Sequence, residues 1–199
     1  MSFEIITLME NSAPRDCLAC EHGLSLLIQG EGVRILYDTV ASPRFLQNAA
    51  ALQVPLEPLD ALVLSHGHYD HTGGAAALLT APVRPGAVYL GRDFFTPRYS
   101  KKTAGLMDIG AAFTPAALEL AGVPCREVRE EPLALGPGIW LLSGFTSTQP
   151  FEGPIPSLLR KTPSGPAPDP FGDEVAVVLE AGRELVLLSG CAHVGILSM

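Results

Sequence analysis

Between Ser65 and Gly74 the chain reads Ser-His-Gly-His-Tyr-Asp-His-Thr-Gly-Gly. Three of its five histidines and one aspartate, His66, His68, Asp70 and His71, fall within six residues. The apolar run Leu62-Val63-Leu64 before them reads as a short buried strand, and the Ala/Leu-rich stretch from Gly73 to Leu79 reads as a helix. A loop at the C-terminal end of a strand can bend several imidazoles inward. Imidazole and carboxylate are ligands for zinc first, with manganese or iron as the other candidates. His66 and His68, one residue apart, can point at one ion. Asp70 and His71 lie further round the bend and can serve a second, with Asp70 also the candidate catalytic carboxylate. Gly73 and Gly74 are expected to let the backbone turn tightly as the helix begins. Histidines that only hydrogen-bond would explain a lone His, but they explain this spacing poorly.

A second stretch repeats the plan. Leu187 and Leu188 end an apolar strand, a small turn follows, and His193 stands beyond it. With His66 and His68 it makes a three-histidine set, and three protein ligands with one open position is the pattern of a catalytic zinc site. Asp38 closes the apolar strand Ile35-Leu36-Tyr37. A carboxylate there is costly unless paired, so it reads as an acceptor that orients a ligand histidine or the loop backbone. Cys191 reads as packing. The chain contains no H-E-x-x-H pair, no phosphate-binding G-x-x-x-x-G-K-[ST] and no G-x-S-x-G elbow, which removes three common chemistries.

The rest of the chain sets the frame. Strands are expected at Phe3 to Leu8, Leu24 to Ile28 and Val33 to Tyr37, with Gly30-Glu31-Gly32 as a hairpin turn. Helices are expected at Phe45 to Val54 and Pro115 to Ala121. Further strands are expected at Ala87 to Leu90, Ile139 to Leu142, Val175 to Leu179 and Leu185 to Leu188. Strands first, then alternation, then strands again argue for α/β layers in one domain spanning residues 1–199. Seven of the 18 prolines lie between Pro150 and Pro170, which reads as a loop or lid. Hydrophobic residues make up 47%, enough for a sizeable core. The net charge of −8 disfavours a nucleic-acid partner. No apolar run approaches the roughly 18–20 residues that span a bilayer, and the N-terminus has no basic region before its first apolar stretch. No membrane association and a cytoplasmic location are therefore expected. Cys17-Leu18-Ala19-Cys20 stands alone as a C-x-x-C, with no second pair, and reads as two incidental thiols.

Taken together, Asp38, the H-x-H-x-D-H loop and His193 resemble the three motifs of the metallo-β-lactamase superfamily. Within it the chain resembles the branch of dihydropterin ribofuranosylaminobenzene-phosphate synthase-like proteins. That finer likeness rests on Glu21-His22-Gly23-Leu24-Ser25, Ser65 to Gly74, Phe94 to Ser100, and Asp173-Glu174 ahead of Ser189 to Gly195. The resemblance implies an αββα sandwich with the metal site at one edge, and a metal-dependent hydrolase or transferase acting through metal-activated hydroxide. A histidine at position 68, where flavodiiron members carry a carboxylate, implies hydrolytic or group-transfer chemistry and zinc. Superfamily members usually continue past the third motif to a further histidine, so the chain is expected to be C-terminally incomplete, with one ion held tightly. A sheet left without its last strands would favour homo-oligomers. Arg92, Arg98, Lys101 and Lys102, with Arg160 and Lys161, point to a small anionic or phosphorylated substrate. Arg98, Lys101 and Tyr99 are its candidate binding residues, and Phe94, Phe95, Tyr99 and Phe151 are candidates for an aromatic wall. The alternative is a non-catalytic metal-binding or ligand-sensing domain.

Overall fold

The computed structural model describes every residue except Val83. Three strands open the chain: β1 (Phe3–Met9), β2 (Ser25–Gly30) and β3 (Val33–Tyr37). They form an antiparallel meander in which Phe3 faces Gly30 and Ile28 faces Ile35. The β2–β3 turn places Glu31 at φ 51° and Gly32 at φ 78°. Two consecutive positive φ angles match the strand twist in a two-residue hairpin.

The chain then alternates. Helix α1 (Phe45–Ala51) leads to β4 (Ala61–Val63), and α2 (Tyr69–Thr72) and α3 (Ala75–Leu79) lead to β5 (Ala87–Gly91). After β6 (Arg98–Lys102) and β7 (Gly105–Asp108), α4 (Pro115–Ala121) leads to β8 (Cys125–Val128). Strands β3, β4, β5 and β8 pair in parallel and complete a six-stranded sheet ordered β1-β2-β3-β4-β5-β8. Parallel neighbours need crossovers, and helices supply them. Each step moves the same way across the sheet, so right-handed crossovers put α1, α3 and α4 on one face.

The remaining strands are β9 (Leu133–Gly136), β10 (Ile139–Leu142), β11 (Leu158–Thr162), β12 (Gly165–Pro168), β13 (Ala176–Ala181) and β14 (Glu184–Leu188). They build an antiparallel sheet ordered β14-β13-β10-β9 and, with β6 and β7, a third ordered β12-β11-β6-β7.

The period of two in each strand sorts side chains between two cores. Leu36, Leu62 and Leu64 face the helices, packing with Phe45, Ala75, Leu78 and Leu118. Ile35, Tyr37, Ala61 and Val63 face the second sheet, packing with Ile139, Leu141, Val177 and Leu179. The Tyr37 hydroxyl crosses that second core to donate to the Val175 carbonyl at 2.7 Å. The architecture is an α/β sandwich of two stacked sheets. Among the described residues no helix covers the outer face of the second sheet.

Several expectations need correction. The stretch from Pro150 to Pro170, expected as a loop or lid, carries the β11–β12 hairpin. Its Pro166 and Pro168 lie on edge strand β12, where proline is tolerated because one side of the strand needs no partner. The helix expected from Gly73 to Leu79 is shorter and is preceded by a separate turn, α2. Strands β6 to β9, β11 and β12 were not expected at all. Most are polar or proline-rich, and only their cross-strand partners reveal them.

Candidate metal centre

The centre forms where the parallel strands end, the usual ligand-binding edge of an open α/β sheet. Strand β3 stops at Asp38, whose φ of 61° swings its carboxylate toward the next strand. Asp38 is fully buried. Its Oδ1 accepts the Ser65 N–H at 2.7 Å, and its Oδ2 accepts the Ser65 hydroxyl and the His71 Nδ1–H, each at 2.6 Å. The one carboxylate therefore fixes both the start of the histidine loop and the ring at its end.

Beyond Ser65 the loop brings His66 and His68 together, with His66 Nε2 3.0 Å from His68 Nδ1. His193 arrives from the turn after β14. Ligand atoms of His66, His68 and His193 all lie within 4.8 Å of one another. A second compact set joins His66, His71 and Cys191. Asp70 Oδ2 lies 3.4 Å from His71 Nε2 and 3.3 Å from His22 Nε2.

The electrostatics of the set favour cation binding. Burial, with help from neighbouring histidines, holds His66 well below the ordinary imidazole range. Burial lowers His68 to about 3 and His193 to about 4. All three rings are therefore neutral near pH 7, the form that ligates. His68 Nε2 and His193 Nε2 are buried with no hydrogen-bond partner. Orphaned ring nitrogens of this kind are costly in a folded chain, and an ion bound through them would relieve that cost. His71 is the opposite case. Burial pushes it down, but the Asp38 charge and hydrogen bond overcome that and raise it well above the ordinary value. Burial works against the Asp70 carboxylate, yet the hydrogen bond and charge of His71 bring it to about 2.

One short segment, Asp169 to Glu174, braces all of this. Phe171 stacks on His193, with centroids 4.1 Å apart and planes 18° apart. Glu174 accepts the His193 and Val194 N–H groups at 2.7 and 2.9 Å. Asp173 accepts the Gly67 N–H at 2.8 Å, fixing the backbone between His66 and His68. Asp169 and Asp173 both pair with Arg98, at 2.8 Å each. Gly67 has no room for a side chain, since a Cβ would stand 2.3 Å from the Phe94 carbonyl oxygen. Gly73 is similar, with a Cβ 2.0 Å from the Ala41 oxygen. Its own φ is an ordinary helical −63°, so close packing, not a tight turn, calls for glycine there.

The candidate substrate residues fall out differently. Arg98 is buried and committed to Asp169, Asp173 and the Phe94 carbonyl, so it is a brace and is unavailable to a ligand. Strand alternation on β6 sends Arg98, Ser100 and Lys102 one way and Tyr99 and Lys101 the other. Ser100 and Lys102 line a cavity of about 300 Å³ that opens on His68, Asp70 and His193, with His22, Tyr69 and Cys191 at its walls. Tyr99 and Lys101 are not among its lining residues. Arg92 and Arg160 line a larger cavity, about 700 Å³, none of whose walls is a histidine. Phe94 and Phe95 pack with Phe113 in the helix-side core, and Phe151 is exposed away from the cavity. Phe171 is the aromatic ring at the centre. Sequence reasoning missed Asp169 and Glu174 as braces, while His22 stands beside Asp70. Cys191, expected as packing, is exposed with its Sγ 3.2 Å from His71 Nε2.

With three histidines meeting at the edge of stacked sheets, the comparison with known proteins is direct. The metallo-beta-lactamase superfamily model matches residues 18–194, and the chain belongs to that superfamily. The 7,8-dihydropterin-6-methyl-4-(beta-D-ribofuranosyl)-aminobenzene-5'-phosphate synthase of Methanocaldococcus jannaschii is 29% identical over 209 aligned residues, which cover 100% of this chain and 70% of that protein. The crystal structure of Tm1679, a metal-dependent hydrolase of the beta-lactamase superfamily, superposes with a TM-score of 0.80 at 28% identity over 98% of this chain and 68% of that one. YhfI from Bacillus subtilis, a metallo-beta-lactamase fold protein, shares the fold at TM-score 0.52 and 14% identity, over 96% of this chain and 63% of that one. No helix among the described residues is long and apolar enough to cross a membrane.

Proposed function

We propose that the chain is a zinc-dependent hydrolase or group-transfer enzyme acting on a small anionic substrate. The observation that carries this reading is the set of three buried, neutral imidazoles, two with orphaned nitrogens, beside a cavity of about 300 Å³. Superfamily membership and the synthase-like relative support it. A divalent ion held by His66, His68 and His193 would supply Lewis acidity and a lowered pKa for bound water.

The chain's own residues do the rest. Glu174 and Phe171 hold His193 in place, while Asp173 and Arg98 hold the loop between His66 and His68. Asp70, ionised and facing the cavity, is the group placed to accept a proton from an attacking nucleophile and pass it on. Lys102 is the cation at the cavity wall, and by charge complementarity it would take the substrate's anionic group. Tyr69 and Met107 offer apolar surface for a ring.

Turnover of a generic phosphodiester, with zinc and with chelator, tests the reading. Chelator-sensitive turnover, with KM raised severalfold by Lys102→Ala and unchanged by Lys101→Ala, is the expected result. A metal-loaded protein without turnover of any phosphoester or ester would instead favour a sensing role.

A further inference from the structure

Among the described residues, the third sheet is joined to neither of the two stacked sheets by a strand pair. Its place beside the histidine loop therefore depends on side chains and turns. One tie is the Tyr69 N–H, which donates to the Ile109 carbonyl just past β7 at 3.1 Å. A second is Arg98. Cross-strand partners share a face, so Met107 and Leu158 point the same way as Ser100. These three and Lys102 line the cavity that opens on His68 and His193. Arg98 heads the same face of β6, but its side chain is buried behind the histidine loop.

All three guanidinium nitrogens are engaged there. Nε donates to Asp169 Oδ2 at 2.8 Å, Nη1 donates to the Phe94 carbonyl at 2.7 Å, and Nη2 pairs with Asp173 Oδ1 at 2.8 Å. The remaining oxygens of the two carboxylates reach the two arms of the histidine set. Asp173 Oδ2 accepts the Gly67 N–H between His66 and His68. Asp169 Oδ1 accepts the Phe171 N–H at 2.9 Å, and Phe171 stacks on His193. Nη1 also packs against Gly67, 2.5 Å from where a Cβ would stand. Bracing the loop needs only the carboxylates and some buried counter-charge. Because that charge comes from the head of β6, the same fork ties the cavity wall to both histidine arms. A planar guanidinium donates in fixed, separate directions at once, which an ammonium cannot copy.

We propose that Arg98 is a positioning residue for the substrate: it sets the third sheet, and with it Lys102, at a fixed place relative to the three-histidine set. An anionic group held by Lys102 is thereby presented to the metal. The inference rests on the metal-dependent, anion-binding reading above. Arg98 and Lys102 are four residues apart on one extended strand, about 13 Å by backbone rise, so any effect of one on the other passes through the strand.

The test loads the full chain with Co(II) and titrates it with inorganic phosphate while the visible cobalt absorption is read. Lys102→Ala should weaken phosphate binding at least about fivefold, and Lys101→Ala, on the opposite face of the strand, by less than about twofold. Arg98→Lys keeps the charge and loses the fork, so it should weaken phosphate about as much as Lys102→Ala while cobalt stays bound. Adding it to Lys102→Ala should weaken phosphate almost no further, since no ammonium is then left to place. A merely structural role would not produce that non-additivity. Asp169→Asn removes one partner of the fork at constant side-chain size. Alone and combined with Lys102→Ala it should show the same pattern in smaller measure, and it carries the test if Arg98→Lys does not fold. Phosphate affinity that falls in Lys102→Ala but holds in both brace variants overturns the proposal and leaves the anion-binding reading standing. Losses that add in the double variants overturn it as well. Affinity indifferent to Lys102→Ala overturns the anion-binding reading and the proposal together, and a parent that binds no cobalt overturns the metal reading beneath both.

Discussion

Two parts of one histidine cluster, with His66 and His71 centroids only 4.3 Å apart, sit in opposite fields. Among the described residues no carboxylate hydrogen-bonds the rings of His66, His68 and His193, and burial holds all three neutral. His71 lies between Asp38 and Asp70, which hold it charged despite its burial. The difference teaches how the loop divides its work. The first set presents bare, neutral nitrogens, the form in which imidazole can ligate an ion. The second is built around negative charge, so a proton stands in the metal-free chain where a metal cation would otherwise balance Asp70.

The sharpest way to break that contrast is at Asp38. Removing it leaves the Ser65 N–H and the His71 ring without their buried acceptor. Loss of one partner of a buried charged pair typically costs about 3–5 kcal/mol. Asp38→Ala should therefore lower the urea midpoint strongly in metal-free protein. It should also release His71 from its high pKa, which NMR titration of the ring would detect. A variant as stable as the parent would show that Asp38 does not organise the loop.

A smaller effect on folding and a larger one on metal is expected from the first set. His66→Ala or His193→Ala removes one of three proposed ligands, so bound metal per chain should fall by at least about half. Because each ring is a neutral group held at some cost in the metal-free chain, the apoprotein should lose little stability. Unchanged metal content in either variant would sink the three-histidine assignment.

The brace behind His193 gives a pH-dependent prediction. Burial raises Glu174 to about 7, with its two N–H partners working against the shift. Between the ordinary carboxylate value of about 4.3 and about 7, the folded chain keeps a proton that the unfolded chain has lost. Stability from this group therefore falls as pH rises through that window. Glutamine has no such titration. Glu174→Gln should be less stable than the parent near pH 5, and the gap should narrow by on the order of 1 kcal/mol at pH 8. Urea midpoints of chelated protein at the two pH values measure it. A gap that widens with pH would mean the carboxylate is not desolvated.

Much of this centre was readable because its signals are local. An apolar triplet, a dense histidine loop and a second apolar strand ending in His193 carry their meaning in a few neighbouring residues. The boundaries of β3, α4 and β10 follow from the same short-range patterns. What was not readable depends on distant partners. Arg98 looked like an anion-binding residue because nothing near it in sequence reveals Asp169, 71 residues away. The phase of β6, which separates Lys102 from Lys101, is set by pairing with β7 and β11, since the strand itself is polar on both faces. Phe171 and Glu174 gave no sign of their roles, because both act on a histidine that only the fold brings to them.

The smallest effect is expected at the other sulfurs. Cys17 and Cys20 are exposed free thiols, and neither belongs to a compact set of metal-ligating groups among the described residues. The turn that carries them is held by other groups. The Leu18 N–H donates to the Arg15 carbonyl at 3.0 Å, and the Ala19 N–H donates to Asn48 Oδ1 at 2.8 Å. A double change of Cys17 and Cys20 to serine removes exposed sulfur and none of these bonds. Stability should stay within about 0.5 kcal/mol of the parent, and metal content should not move. Cys191→Ser is the matched contrast, since it replaces one exposed thiol by the same residue but does so beside His71. If the double variant lost bound metal and Cys191→Ser did not, a sulfur ligand would lie in the N-terminal loop, and the three bare histidines would not be the whole of the metal site.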